Sequence, residues 1–573
     1  MRFSTLLSLL VIGAAPLAVR AQDATVPLDA DTYRLIDRYA IRYGGAVPSL
    51  HTSLKPYGRT QVARLAEAVA AADSTHLSRA DRFNLRWLRR DNWNASAHPA
   101  ELSAKPLLRT FYERPADLYS VQTPDSAFTL RVNPVLYLGS GSGTGTGTAG
   151  LAVNTRGVQV EGTIDRRLGF YTFLADNQVF APDYVDQRIR RDGVVPGEGF
   201  WKPFKPTRTS FGGYDFFTAR GYLNYAITRH ISAQLGHDRV FIGNGYRSLI
   251  LSDFAPAFFF LKLNTQVWRF RYQNLFTELT ANYGRANQVY GKKYMAQHHL
   301  TFAVTPRLSV GVSEMEIFGK RTGGFELQYL NPIIFYRAIE QSVGSKDNAL
   351  VGADVKWNVV DRVQLYGQVL LDEFLLKEIK ARRGWWANKQ AVQAGVKYVD
   401  VAGISNLDIQ AEINFIRPYT YQHQDSLTNY QHYQQPLAHP IGANLWEAIG
   451  VVRYQPAPLP RLTVVGKAIY TKFGADFDTT NYGTNPLLSY KNHERRDFGH
   501  ETGQGIAIQQ LHLDLTASYQ IAHNLFLDVK QVVRRGYSYA AIPTLAQSPL
   551  ATSTANLTSV ALRWNIGQRL YEF

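Results

Sequence analysis

Three groups of side chains have the types and spacing that chemistry would need. Glu314 and Glu316 in "VSEMEIFG" stand two residues apart. On a strand they share a face with Cα atoms roughly 6.5–7 Å apart, which would suit a glycosidase pair. In a wide barrel the same pair reads as inward lumen charge set against Arg and Lys, and that is the reading taken here. His298 and His299 in "AQHHLTF" point to opposite faces of a strand, so only one could face lipid and serve a wall-mounted hydrolase. No G-x-S-x-G accompanies them. His423, His432 and His439 match no common zinc spacing, and their Tyr- and Gln-rich surroundings read as a hydrogen-bonding surface. No metal, no cofactor and no catalytic residue is expected.

These residues need elements to hold them. "LHLDLTASYQI" alternates without a fault: Leu511, Leu513, Leu515, Ala517, Tyr519 and Ile521 face one way, and His512, Asp514, Thr516, Ser518 and Gln520 the other. "LTVVGKAIYTKFG" repeats the theme, as does "LRVNPVLYLGSG", where Pro134 must sit where no ladder N–H is required. "LGFYTFLADNQ" is apolar on both faces. Strands near ten residues long exceed those of soluble sandwiches and fit a tilted membrane span. The composition agrees, with 33 Tyr, 30 Phe, 44 Gly and only 3 Met. No apolar run beyond the first residues is long enough for a membrane helix. The roughly 470 residues from 106 onward, at about 25–28 per strand and connection, predict an all-β transmembrane barrel of about 16–18 antiparallel strands. A secreted sandwich or propeller is the alternative architecture.

Residues 1–21 read as a signal peptide, with Arg2, an apolar run and small residues before Gln22. Residues 22–105 read as a small periplasmic helical module. "DTYRLIDRYAIRYG" sets Leu35, Ile36 and Tyr39 on one stripe and stops at Gly44-Gly45. "RTQVARLAEAVAAAD" offers Thr60 as N-cap with Val62, Leu65, Ala66 and Val69 on one face, and Ser78-x-x-Asp81 forms a capping box. The outer-membrane barrel then occupies 106–573. Long connections are expected at 139–150, where "GSGSGTGTGTAG" reads as a flexible loop, at 182–212 and at 418–445. The tail "RWNIGQRLYEF" places Tyr571 and Phe573 out of phase with Val560, Leu562, Trp564 and Ile566. A one-residue bulge near Gly567-Gln568 would bring both aromatics to the lipid side as a signal for the barrel assembly machinery. The absence of cysteine excludes disulfides and thiolate sites. A net charge of +16 favours an acidic polymer or lipopolysaccharide phosphate as partner, and export argues against nucleic acid.

The ordered segments "NGYRSLILSDFAPAFFFLKL" (244–263), "FELQYLNPIIFYRAIEQSVGSKDNALVGADVKW" (325–357), "LYGQVLLDEF" (365–374), "RRGWWANKQAVQAGVKY" (382–398) and "INFIRPYTYQHQDSLTNYQHYQQPLAHPIGANLWE" (413–447) resemble Wzi-type capsule assembly proteins, in the branch that includes RemB-like gliding motility proteins. The "GPG" of that family stands here as Gly243-Asn244-Gly245. The resemblance implies a lectin of the outer membrane, without enzymatic activity, that attaches exported polysaccharide to the cell surface, with a motility or adhesion role open. A general porin or polymer-export channel is the alternative, and an outer-membrane hydrolase a third. Within the matched segments Trp385, Trp386, Tyr419, Tyr421, Tyr430 and Tyr433 offer flat faces for sugar rings. Asp372, Glu373, Asn388, Arg417 and Asn444 offer directional hydrogen bonds.

Overall fold

The computed structural model describes residues 24–44, 51–73, 77–96, 100–145, 150–205, 212–281, 290–321, 324–476, 480–493, 496–539 and 549–573. The expected signal peptide and the Gly45 helix stop lie outside the described residues. Eighteen long antiparallel strands form a closed barrel, each paired with its neighbour in sequence, from Phe128–Gly145 to Pro549–Trp564. The last strand pairs with the first from Trp564 opposite Leu136 to Ala555 opposite Gly145. Closure leaves no open edge, the condition for a sheet to live in lipid. Alternation decides which face meets lipid. Leu513, Leu515, Tyr519 and Ile521 are exposed, while His512, Asp514, Thr516, Ser518 and Gln520 are buried in the lumen.

Proline and glycine in the first strand behave differently from each other. Pro134 falls between two partners on one edge: a short piece, Tyr119–Gln122, pairs with Thr129–Val132, and the last strand takes over at Leu136. Its carbonyl accepts from Asn565 Nδ2 at 2.8 Å in that gap, so the missing N–H breaks no ladder bond. Gly139–Gly145, expected as a flexible loop, instead continue the strand opposite Ala555–Ala561. Pairing with the closing strand overrides the low strand propensity of this tract, and the alternating glycines fall on the lumen side.

The two ends of the barrel differ. At one end the turns are short, such as Asp165-Arg166-Arg167, Asp361-Arg362 and His523-Asn524. At the other, connections span 181–212, 239–257, 320–347, 372–389, 417–444 and 476–505. Three helices dock at the short-turn end: α1 (Tyr33–Arg42), α2 (Arg59–Ala72) and α3 (Arg79–Asp91). Leu35, Ile36, Tyr39, Val62, Leu65, Val69 and Leu88 form their shared core, as the 3.6-residue stripes require. Ser78 and Asp81 form the expected capping box, with Ser78 Oγ accepting from the Asp81 N–H at 2.9 Å. The second helix starts one residue before the expected cap. Gly58 takes that position, which frees Arg59 to reach Glu161 of the barrel at 3.0 Å and Asp91 at 3.2 Å. Arg38 lies 2.5 Å from both Asp400 and Asp408, and Lys397 meets Asp37 at 2.6 Å. Buried ion pairs of this kind fix one docking geometry, because a misplaced partner would strand a charge.

Three segments fill the lumen from within. Ile242–Ser252, from the connection after the fifth strand, is buried throughout but for Tyr246. Its Arg247 bridges the walls: its N–H donates to Glu412, and its guanidinium donates to Glu447 at 3.1 Å and to the Glu572 carbonyl at 2.6 Å. Most of Pro418–Asn444 is buried above it. The third filler corrects an expectation. The last strand ends at Trp564, and residues 565–573 turn back into the lumen rather than following the lipid face. Phe573 is 6% exposed and packs with Tyr184, Phe254 and Tyr571 under the Arg188 guanidinium. Glu572 lies between Lys467, Tyr246 and Arg247, and Arg569 reaches Asn177. These buried partners draw a charged tail inward that lipid would reject.

The carboxylate pair also needs correction. In the ninth strand (Leu308–Gly319) the lumen side is taken by Gly311, Ser313 and Met315, so Glu314 and Glu316 point outward. Val351, directly opposite Glu314, is 51% exposed, at a level where neighbours face lipid. A flap covers the acids. Residues 325–343, ending in α5 (Tyr336–Val343), fold over the outside of the wall, and the N–H groups of Tyr336 and Arg337 donate to Glu314 at 2.8 and 3.2 Å. His298, the outward member of its pair, lies against Tyr336 with ring centres 4.0 Å apart and the planes tilted by 37°. His299 faces the lumen and bonds Ser313 and Thr301. The flap turns Leu327, Ile333 and Phe335 outward, giving lipid an apolar surface in place of two acids.

Candidate functional site

With the lumen filled, the surface at the long-connection end carries the partly exposed members of the sequence-predicted set. Two connections build its centre. In 372–389, α6 (Leu376–Ala381) is followed by "RRGWWANK"; in 476–505 the run "SYKNH" faces it. The two are stitched by backbone: the Trp386 N–H donates to Asp497, Gly499 to Arg383, and His500 to Gly384. Gly384 adopts φ +68, and a Cβ there would meet the His500 backbone at 2.8 Å, so the crossing requires glycine.

Trp386 is the pivot. Its ring stacks on His493 at 4.5 Å and 20°, lies 5.0 Å from Tyr490, and meets Tyr419 edge-on at 6.1 Å. Beneath it Lys389 binds Asp372 at 3.1 Å and Glu373 at 3.2 Å, with its ammonium 4.8 Å from the Tyr490 ring centre. Burial raises the Asp372 carboxyl above the usual carboxylate range, against the pull of Lys389. Burial also lifts the Tyr490 hydroxyl to about 12, and pushes His423 down to about 4. Tyr490 and His423 are therefore neutral hydrogen-bonding partners near pH 7, while Asp372, raised to about 6, is still mainly ionised there and pairs with Lys389. Around them Lys377, Lys380, Arg382 and Lys491 are exposed, which gives the rim a positive charge.

The eleven residues expected to bind sugar fall into two sets. Trp385, Trp386, Glu373, Arg417 and Tyr433 are partly exposed. Trp385, Trp386, Glu373 and Arg417 gather around one patch, where Arg417 donates to the carbonyls of Asn388 at 2.8 Å and Trp385 at 3.3 Å. Tyr433 stands apart, packed on Phe200 at 5.1 Å. The others are buried and have structural bonds. Tyr421 and Tyr430 donate to the carbonyls of Leu249 and Ile250, tying the outer plug to the inner one. Asp372 accepts from the Tyr421 N–H, Asn388 from Leu375, and Tyr419 donates to Asn481. Asn444 joins Gly474, Thr484, Gly503 and Gln504. His423, His432 and His439, read as surface, are buried too: His439 lies 2.9 Å from Glu447 and His432 accepts from the Thr280 N–H. Among the described residues no group of three metal-ligating side chains comes together.

Tyr490 and His493 were missed. The basic and aromatic run "SYKNHERRDF" was their only signal. Their contact with Trp386 spans about a hundred residues, which no local pattern reports.

A family model described as capsule assembly protein Wzi matches residues 155–455, more than half of the chain. Among solved structures, Wzi of Escherichia coli, described as an outer membrane protein involved in group 1 capsule assembly and a carbohydrate-binding β-barrel, superimposes with a TM-score of 0.54. It shares 13% identity over 94% of this chain and 99% of that one. Pseudomonas aeruginosa OprD gives a TM-score of 0.40 at 12% identity over 75% and 94% of the two chains. OccK8 (OprE) of the same organism gives 0.39 at 10% identity over 76% and 97%. No curated protein matches by sequence.

Proposed function

The chain belongs to the Wzi capsule assembly family, and from that premise we propose that it binds exported acidic polysaccharide on the Trp386 patch and holds it at the cell surface. The carrying observation is the patch itself: a partly exposed Trp386–His493–Tyr490 cluster, ringed by exposed Lys and Arg, on the end of a barrel whose lumen is filled. Stacked rings offer sugar C–H faces an apolar platform, and the basic rim meets carboxylates of an acidic polymer. In this reading residues 1–21 direct export, and 22–105 with its short-turn neighbours faces the periplasm, as short turns do in barrels of the outer membrane. Lipopolysaccharide surrounds the outer leaflet, and the assembly machinery reads Tyr571 and Phe573 before the tail folds inward. The chain acts by binding, without catalysis, and a motility or adhesion role would use the same contact.

The test is a titration of the purified barrel with uronic-acid oligosaccharides, followed by calorimetry. Loss of one stacked indole removes about 1.5 kcal/mol, so Trp386→Ala weakens binding about tenfold, while Tyr421→Phe leaves it unchanged. Equal binding by wild type and Trp386→Ala would overturn the site. Large ion conductance in planar bilayers would favour the channel reading instead.

A further inference from the structure

Arg82, Arg86 and Arg89 follow one another at i, i+4 and i+7 along α3, with Arg90 beside them. The segment after α3 turns back across this stripe and adds Arg114, whose guanidinium sits 4.1 Å from the Trp93 ring centre. These five arginines and Trp93 line one cavity of about 320 Å³, within the size range of small-molecule sites.

Elsewhere most buried arginines are matched, Arg271 in the lumen being an exception. Arg38, Arg59, Arg131, Arg247 and Arg563 each hold at least one carboxylate. In this cavity Arg90 alone has one, Glu101 at 2.5 Å. Among the described residues Arg82, Arg86, Arg89 and Arg114 have none within ion-pair distance. The Nε atoms of Arg89 and Arg114 are buried without an acceptor. Arg82 donates to the Leu77 carbonyl and Arg114 to Ser120, which leaves the net positive charge of the five arginines lining one cavity for an anion to offset.

The surroundings indicate what kind of anion. Between Glu101 and Arg114 the same segment leaves Leu102, Leu107, Leu108 and Phe111 exposed, Leu108 at 77%. Tyr112 lies flat on Trp564, at 6.1 Å and 8°, and Trp564 ends the closing strand on its lipid-facing side. A basic cavity therefore opens beside exposed apolar side chains at the membrane border. Aromatic side chains in pairs mark that border in membrane proteins.

We propose that this cavity binds the phosphate of an anionic phospholipid headgroup, with the acyl chains lying on Leu107, Leu108 and Phe111. A soluble phosphate ester would satisfy the arginines equally well, and the exposed leucines favour the lipid as its source. The proposal rests on the module lying at the membrane border and is independent of polysaccharide binding at the far end.

The test uses the full chain purified in detergent and titrated with short-chain phosphatidylglycerol, short-chain phosphatidylcholine and glycerol phosphate. Phosphatidylglycerol is expected to bind at least tenfold more tightly than either of the others. Arg86→Gln with Arg89→Gln should remove at least tenfold of that affinity. Leu107→Ser with Leu108→Ser should lower phosphatidylglycerol binding several-fold and leave glycerol phosphate unaffected. Equal affinity for phosphatidylglycerol and phosphatidylcholine overturns the proposal, as does equal affinity for glycerol phosphate, which would identify a free-anion site. Should the arginine variant fail to close its barrel, salt provides the second measurement. Raising the ionic strength of wild type from 50 to about 500 mM should weaken phosphatidylglycerol binding at least tenfold, and salt-insensitive binding overturns the proposal.

Discussion

Phe573→Ala tests whether the tail is part of the lumen packing or merely rests in it. The ring is 6% exposed, touches Tyr184, Phe254 and Tyr571, and lies 4.3 Å from the Arg188 guanidinium. Truncating a buried phenylalanine costs about 3–5 kcal/mol through lost transfer energy and the cavity left behind. None of those contacts is a ladder bond, so the cost falls on the tail and on α4 (Asp183–Asp192), whose Tyr184 and Arg188 hold the ring. At 1.4 kcal/mol per factor of ten, the equilibrium for local opening should shift by about a hundredfold or more. Hydrogen exchange on protein refolded into detergent reads this directly and bypasses cellular assembly. Amides of 184–192 and 566–573 should exchange about a hundredfold faster, while strands such as Ile506–Ala522 keep their protection. Unchanged exchange in α4, or a loss spread evenly over the strands, would refute the packing argument.

Three further predictions follow from buried charge. Arg59→Ala removes one cation from Glu161 and Asp91, which keep Arg131 and His523, so its cost to module docking falls at or below the low end of the roughly 3–5 kcal/mol of a broken buried pair, and it should make α1–α3 sensitive to protease while the barrel stays closed on unheated gels. At Asp91 burial acts to raise the carboxyl pKa, but Arg59, His523 and Arg131 outweigh it and hold it below the usual value. A lowered carboxyl stabilises the fold above its unfolded pKa and loses that contribution as pH falls, so the module should stay docked from neutral pH to about 4 and loosen only below it, followed by module tryptophan fluorescence. Glu314→Ala removes the acceptor of two N–H groups at the start of α5, at about 1–3 kcal/mol for each stranded donor, and should raise hydrogen exchange of 336–343 without altering barrel closure.

The barrel was legible because alternation is a local property. The faces of 511–521 follow from side-chain direction alone, and so does the strand class of the whole region. The helical stripes of α1–α3 were readable for the same reason. Orientation was not. Glu314 and Glu316 share a face, as their spacing demands, but which face depends on a flap whose sequence gives no sign that it folds back over the wall. The tail failed for a related reason: its phase break was visible, yet a bulge and a departure into the lumen look alike until Lys467 and Arg247 are seen beside Glu572. At the site the aromatic pair Trp385-Trp386 was found by type. Tyr421, Tyr430 and Asn444 were chosen by type too, and belong to the plug because burial is decided by segments far away in sequence.

Arg563 in the closing strand and Asp31 ahead of α1 meet at 2.6 Å, although 532 residues separate them. The ring cannot acquire this contact piecemeal, since both partners are available only after the whole length has crossed into the same compartment. Folding therefore has an unusually late commitment step, with a large loop-closure cost collected before its reward. Chains of this design should fold slowly, spend longer in the care of chaperones than barrels with an empty lumen, and gain their resistance to unfolding all at once when the first and last segments join.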